Sequence, residues 1–384
     1  MNRKPLSELV KIISGGTPKR SIHEYWNGSI PWISVKDLHQ GKHIYRTERF
    51  ITESGLKNSP TKLLIKDDII ISARGTVGLV SMINEPMAFN QSLFGLRSGK
   101  EITAEYLYYW LKLNVSYIKN NVHGSVFDTI TRDTFNIIEV TYPSLEEQKR
   151  VTEILRLLDK KIEQNHQIND NLSQLMILIF EKFQSENTFN ESTIGSIASL
   201  SKGLSYKSKF LDPEKENSES KFFISLANFD IMGGFKFGKM KYYFGPYKER
   251  HIVHPGELLS GATDVTQERK ILGSPVIVPN LAQNMLYSLD VFKIDVDERL
   301  RYWLYMQMQT PSYRGQIEGA ATGTTVLRVP KDVIENFKIA LPNEQQLDEF
   351  NTLIVPFVKI HELNFNEIRN LEATRDALIG KLIN

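Results

Sequence analysis

The chain has 384 residues, 41% of them hydrophobic and 24% charged, with a formal net charge of +2 and no cysteine. That length can bury two or three cores, and the composition is that of an ordinary globular protein. Disulfides and cysteine-held metals are excluded; no apolar run nears the roughly 18 residues of a membrane helix and no signal peptide opens the chain, so a cytoplasmic protein is expected.

Residues 1–143 read as a mixed α/β segment. Ile30–Val35 and Asp68–Ser72 are short apolar runs expected as buried strands. Arg74-Gly75 breaks the second run, and Val77–Val80 resumes it. Ala104–Leu113 is expected as a helix with Leu107, Trp110 and Leu111 on one face. Residues 184–342 repeat this layout: Ile194–Gly203 answers Leu6–Gly15, Phe222–Leu226 answers Trp32–Val35, and Leu300–Met308 answers the helix. Glu257–Gly261 answers Ile69–Ala73, which puts Ala262 at the place of Arg74. Each half closes alike. Gly124 precedes Pro143 by nineteen residues and Glu146-Glu147-Gln148 follows; Gly323 precedes Pro342 by nineteen and Glu344-Gln345-Gln346 follows. A duplicated unit is the dominant signal.

After each cluster comes a long stripe. Val151, Leu155, Leu158, Ile162, Asn165, Asn169, Leu172, Met176, Ile179 and Phe183 are spaced by fours and threes. Phe350, Ile354, Phe357, His361, Asn364, Ile368, Leu371, Arg375, Leu378 and Leu382 keep the same spacing. Each stripe spans 33 residues, or roughly 50 Å of helix at 1.5 Å per residue. A 3.5-residue period is the coiled-coil pattern. Pairing the stripes antiparallel makes Asn169 face Asn364, a polar pair that selects register at some cost in stability. Two amphipathic helices packed separately on their own domains is the plainer alternative. Pro356 inside the second stripe is expected to kink or delay that helix.

Charge follows the same division. Residues 1–143 hold 18 Lys and Arg against 13 Asp and Glu; residues 144–183 sum to −1, 184–342 to +1 and 343–384 to −3. The positive surplus therefore sits on the globular segments, which would face a polyanion, and the helices would face protein.

The sequence shows no reaction centre. Gly233–Lys239 has phosphate-loop spacing, but Met240 stands where a metal-binding Ser or Thr is required and Lys241–Phe244 reads as strand. Glu268-Arg269-Lys270 has a nuclease-like form, but Asp264 lies only four residues upstream, too near for a neighbouring strand. No adenosylmethionine loop is present, and the eight histidines lack metal-ligand spacing. A binding or organising protein is expected.

The chain resembles, over essentially its whole length, the specificity subunit of Type I restriction–modification systems. The resemblance rests on Ser14-Gly15-Gly16-Thr17-Pro18, Ile30–Leu38 with Trp32, Asp68–Gly78, Asn90-Gln91-Ser92, Gly124–Pro143 and the Glu147-Gln148 helix entry, which becomes Gln345-Gln346 in the second half. It implies an α+β fold of two similar target-recognition domains (1–143 and 186–342) separated by two long antiparallel helices (144–185 and 343–384) that form a coiled coil. It implies that each domain reads one half of a split double-stranded DNA target while the helices set the gap. Two methyltransferase subunits would dock on the helices, and restriction subunits would complete the complex. S-adenosylmethionine, ATP and Mg²⁺ are expected in those partners, with no cofactor, metal or catalytic residue in this chain. A stand-alone nuclease or methyltransferase, or a coiled-coil scaffold that binds no DNA, are the rival readings.

Base edges are read by hydrogen-bonding side chains, and phosphates are held near glycine turns. The candidate DNA contacts are Lys36, Arg74, Thr76, Gln91 and Ser125 in the first domain, and Lys207, Asn228, Thr263, Asp264 and Thr324 in the second. Trp32 is assigned to the core. The candidate helix-pairing residues are Leu158, Ile162, Asn169, Leu172, Phe357, Asn364, Ile368 and Leu371. Because the turn chemistry differs between the halves, the two half-sites are expected to differ.

Overall fold

The computed structural model describes residues 1–120, 129–213, 215–230, 233–237, 241–265, 269–281 and 283–383, with the side chain of Gln40 left aside. It divides into two compact units, residues 1–165 with 367–384 and residues 166–366.

In the first unit, Val10–Ser14, Leu93–Ser98, Ile69–Ser72, Val80–Ile83 and His43–Ile44 form a five-stranded sheet in that order. Arg49–Ile51, Trp26–Ile33, Met87–Phe89 and Leu63–Leu64 form a second sheet, in which Trp26–Ile33 and Met87–Phe89 run parallel. Asn2–Pro5 pairs with Glu139–Tyr142. Ile69–Ser72 is buried along its whole length, as its uninterrupted apolar run requires of a strand covered on both faces. Ala104–Leu113 is helical; its Thr103 hydroxyl accepts from the Tyr106 N–H and so caps the first turn.

The second unit repeats the plan without a counterpart of the edge strand His43–Ile44. Ala198–Lys202, Val291–Val296, Leu258–Gly261 and Pro275–Ile277 make one sheet; Tyr242–Tyr243, Lys221–Ile224, Met285–Tyr287 and Ile252–Val253 make the other, again with its middle pair parallel. Asn190–Thr193 pairs with Lys338–Leu341. Thr263–Asp264 adds a short ladder with Leu327–Arg328.

The strand registers and the helix-entry hydrogen bonds correct two alignments drawn from the sequence. Ile69 pairs with Leu96, and Leu258 pairs with Ile294, so Leu258 stands at the place of Ile69. Ala262 therefore corresponds to Ala73, and Arg74 corresponds to Thr263 rather than to Ala262. At the helix entries, Gln148 N–H donates to Ser144 O and Leu347 N–H to Asn343 O. Leu347, not Gln346, thus takes the place of the buried Gln148. The strand misalignment has one source: short apolar runs carry no marker of register, whereas ladder hydrogen bonds do.

The long helices run Leu145–Glu186 and Glu344–Leu382. The second starts on a capping box, in which Asn343 Oδ1 accepts from the Gln346 N–H and Gln346 Oε1 accepts from the Asn343 N–H, both at 2.9 Å. It neither starts late nor ends at Pro356. Within the first unit Asn165 Nδ2 donates to Glu367 Oε2 at 2.8 Å and Arg375 Nη1 meets Asp159 Oδ1 at 3.1 Å. Within the second unit Asn364 Nδ2 donates to Asn169 Oδ1 at 3.2 Å, and Asn169 Nδ2 reaches His361 O at 3.3 Å. In each unit rising numbers on one helix meet falling numbers on the other, which is antiparallel pairing. Ile162, Asn169 and Ile368 are buried in the seam; Leu158, Leu172, Phe357, Asn364 and Leu371 are half-buried beside it. Phe180, outside the stripe, is also buried, and it packs on Phe350.

The asparagine pair yields an expected result. Asn169→Leu strands the Asn364 amide in an apolar seam and should destabilise the chain by about 1–3 kcal/mol. Adding Asn364→Leu should recover most of that loss, because an apolar pair suits the seam better than a half-made polar one. Denaturant unfolding of the single and double variants checks this, and strictly additive losses would refute it.

Candidate nucleic-acid interface

Four backbone hydrogen bonds draw separate turns of the first unit to one end. Gly16 N–H donates to Phe89 O at 3.0 Å, Asn90 N–H to Ile33 O at 3.0 Å, Ala73 N–H to Ser92 O at 2.8 Å, and Ile130 N–H to Ala73 O at 3.1 Å. The second unit has the same four: Leu204 to Tyr287, Ser288 to Ile224, Ala262 to Asp290, and Val329 to Ala262, at 2.8 to 3.1 Å. This end is built identically in both units, down to a glycine. A β-carbon on Gly15 would sit 2.0 Å from Asn90 O, and one on Gly203 would sit 2.3 Å from Ser288 O. No other residue fits where the chain crosses the strand end so closely.

On the first frame the exposed tip is Arg74-Gly75-Thr76. Ser72 builds it: its hydroxyl donates to Thr76 O at 2.5 Å and accepts from Leu79 N–H at 2.8 Å. Gly75 supplies the left-handed turn, at φ +76°, with open space around it. Arg74 is exposed and has no carboxylate partner among the described residues. Beside the tip, the Thr17 hydroxyl donates to Gln91 Oε1, and Asn90 Oδ1 accepts from the Ser92 N–H at 2.9 Å. Arg74, Thr76 and Gln91 are thus brought to one edge. Lys36 leaves the same strand end in the short helix Val35–Gln40 and lies 3.6 Å from Glu48, both side chains exposed. Ser125 lies outside the described residues. Trp32 is buried, its indole N–H donating to Gly16 O at 3.2 Å.

The second frame corrects three candidates. Asn228 is fully buried; its Oδ1 accepts from Ser225 N–H at 3.0 Å and its Nδ2 donates to Lys236 O at 3.2 Å. It is the counterpart of Asp37, which holds Ser34 in the same way, and it braces a turn rather than facing solvent. Thr263 is buried in a ladder opposite Arg328. Asp264 is buried, and its carboxylate accepts from Ile271 N–H at 3.0 Å. A side chain so enclosed has no path to a base edge. Sequence reasoning marked these three as polar residues near a turn, which does not separate a brace from a reader. Lys207 and Thr324 are exposed.

Two residues at this edge were missed. Lys19 precedes a short helical turn just as Lys207 does: Ile22 N–H donates to Lys19 O and Phe210 N–H to Lys207 O. The repeat itself is the available signal, since Lys19 stands 188 residues before Lys207, the same offset as Leu6 to Ile194. Leu289 stands at the place of Gln91 and is 43% exposed. No group of His, Asp and Glu able to hold a metal is found among the described residues, and no helix among them is long and apolar enough to cross a membrane.

What the fold and this edge define is a pair of matched frames that differ in their exposed side chains. Residues 1–174 match the family model described as the Type I restriction modification DNA specificity domain. The whole chain is similar to the Type I restriction enzyme MjaIX specificity subunit of Methanocaldococcus jannaschii, at 27% identity over 99% of this chain and 92% of that one. It is 33% identical to the EcoR124I/EcoR124II specificity subunit of Escherichia coli over 41% of this chain and 40% of that one. The crystal structure of the Type I restriction–modification S subunit from M. genitalium shares the fold, with a TM-score of 0.56 and 13% identity over 99% of this chain and 95% of that one. By these comparisons the chain is similar, over its whole length, to Type I restriction enzyme specificity subunits, and the matching domain model covers its first 174 residues.

Proposed function

We propose that this chain is the non-catalytic sequence-reading subunit of a Type I complex, and that each unit reads one half of a bipartite, asymmetric DNA target. The observation that carries the proposal is a repeated frame with unrepeated chemistry. Where the first unit presents Arg74 and Gln91, the second presents the enclosed Thr263 and the exposed Leu289. Arginine pairs with guanine and glutamine with adenine, whereas an exposed leucine suits the thymine methyl group. Lys19 and Lys207, shared by both frames, suit phosphate contact, which sets register without reading sequence. Thr76 and Thr324 are candidates for the same role. Lys36 is an outlying phosphate contact.

The long helices act in this reading as the spacer between half-sites and as the seat of two methyltransferase subunits, with restriction subunits completing the complex. The helices carry apolar positions outside their seam: Ile154 and Leu157 on the first are 49% and 57% exposed, and Leu353, the counterpart of Ile154, is 46% exposed. Matching exposed positions on two helices suit two copies of one partner. S-adenosylmethionine, ATP and Mg²⁺ would be bound by those partners. Adenine methylation requires the base to leave the stack, and the flipping step would fall to the methyltransferase.

The test is the methylation map of DNA from cells expressing the chain with its methyltransferase subunit, compared with cells lacking it. The expected result is one split motif with two unlike halves, present only with the chain. A motif independent of the chain would overturn the proposal, and two identical halves would overturn its asymmetry.

A further inference from the structure

We propose that Asp159 is a positioning residue that fixes how the first recognition fold sits on its helix pair, and so sets the phase at which the first half-site is presented. The inference rests on the DNA-reading function above. Asp159 belongs to the first long helix, and three groups from three other elements converge on it. Its Oδ1 meets Arg375 Nη1 of the second long helix at 3.1 Å. Its Oδ2 accepts from the Tyr109 hydroxyl, on the helix Ala104–Leu113, at 2.5 Å and lies 3.3 Å from Lys42 Nζ, which leads into the edge strand of the five-stranded sheet. Lys42 is shared with Glu105 at 2.5 Å and stands 4.7 Å from the centre of the Tyr109 ring. The side chains of Lys42, Asp159 and Arg375 are only 10%, 11% and 12% exposed. Burial, then the neighbouring Asp159 charge, hold the Tyr109 hydroxyl protonated far above its ordinary range, so it stays a donor.

The duplicated architecture supplies its own control. Matching the helix entries puts Val358 at the place of Asp159 and Met176 at the place of Arg375. Tyr106 and Trp303 donate to the equivalent carbonyls of Thr141 and Ala340, which puts Met306 at the place of Tyr109. Met176, Met306 and Val358 lie in one apolar cluster of the second unit. The same junction is therefore ionic in one unit and apolar in the other. A buried ion pair gives little net stability over an apolar set of equal volume. Hydrogen bonds, however, are directional where apolar contact is not. A charged cluster kept at one junction and absent from its copy points to orientation rather than to stability.

The experiment uses the complex reconstituted with its methyltransferase subunits. Binding is measured on duplexes carrying both mapped half-sites at the native gap or at a gap one base pair longer or shorter. Two variants are compared with the parent: Asp159→Asn, and the transplant Asp159→Val with Tyr109→Met and Arg375→Met. Both should lose preference for the native gap by about tenfold, the size of an ordinary coupling between neighbouring residues. Base preferences within each half should not change. The transplant should keep the parent's thermal midpoint while losing gap preference, which a merely structural role would not produce. Native gap preference in the transplant overturns the proposal. So does an equal relaxation from Leu155→Val, a core change that spares the ionic cluster. If the parent complex binds every duplex alike, the reading function falls and this role falls with it.

Discussion

Trp303→Ala is expected to destabilise the second unit by about 3–5 kcal/mol, the range for emptying a large aromatic site in a core. Trp303 is fully buried, with ring centres of Phe350, Phe180 and Phe189 at 4.9, 5.0 and 5.1 Å and Phe183 at 6.0 Å. Most of these pairs are tilted or edge-on, arrangements worth about 0.5–1.5 kcal/mol each beyond area burial. Its indole N–H also donates to Ala340 O at 2.7 Å, so truncation orphans a carbonyl at a strand pairing. Both long helices contribute to this cluster, Phe180 and Phe183 from the first and Phe350 from the second. Loss of the ring should therefore loosen the grip of the second recognition fold on its helices. Denaturant unfolding of the purified chain checks the size of the effect. Trp303→Phe should lose only the hydrogen bond and part of the area, about 1–2 kcal/mol. A loss under about 1 kcal/mol for the alanine variant would show that the site collapses freely and that the cluster does not hold the unit together.

Arg74→Ala should weaken discrimination at a single base pair of the first half-site by about 5- to 150-fold, equivalent to the 1–3 kcal/mol of one bidentate base contact. Preferences in the second half-site should be untouched. Folding stability should also be unchanged, because the side chain is exposed at an open hairpin tip. Arg74→Lys separates reading from anchoring. Lysine keeps the charge but not the planar fork, so it should preserve the salt dependence of binding while losing the base preference. If Arg74 instead holds a phosphate, alanine would weaken all sequences alike and lower the salt slope by about one. Binding of randomised half-sites by the reconstituted complex at two salt concentrations distinguishes these results. An alanine variant that binds every sequence as the parent does removes Arg74 from the interface.

Much of the architecture could be read in the chain itself, for a physical reason. A duplicated layout and two 33-residue stripes at a 3.5-residue period are long patterns. Over ten positions a helical period cannot be confused with a strand's. The facing of Asn169 and Asn364 followed from counting positions along those stripes, because an antiparallel pair of equal helices has one symmetric register. The turn edge was also legible in part: Arg74, Thr76 and Gln91 were found through the glycine and strand end beside them.

The sequence by itself determined the repeat, the helix pairing and the positive surplus on the globular segments, since each depends on periodicity or composition summed over many residues. Tertiary structure alone decided the one-residue shift that pairs Arg74 with Thr263, which comes from ladder hydrogen bonds between strands far apart in the chain. It decided that Asn228, Thr263 and Asp264 are enclosed while Leu289 is exposed, because burial depends on what covers a residue and not on its neighbours in sequence. It also brought Lys42, Tyr109, Asp159 and Arg375 to one point, across 333 positions of chain. A single buried carboxylate carries no period and no motif, so only the folded packing of three other elements around it could reveal it.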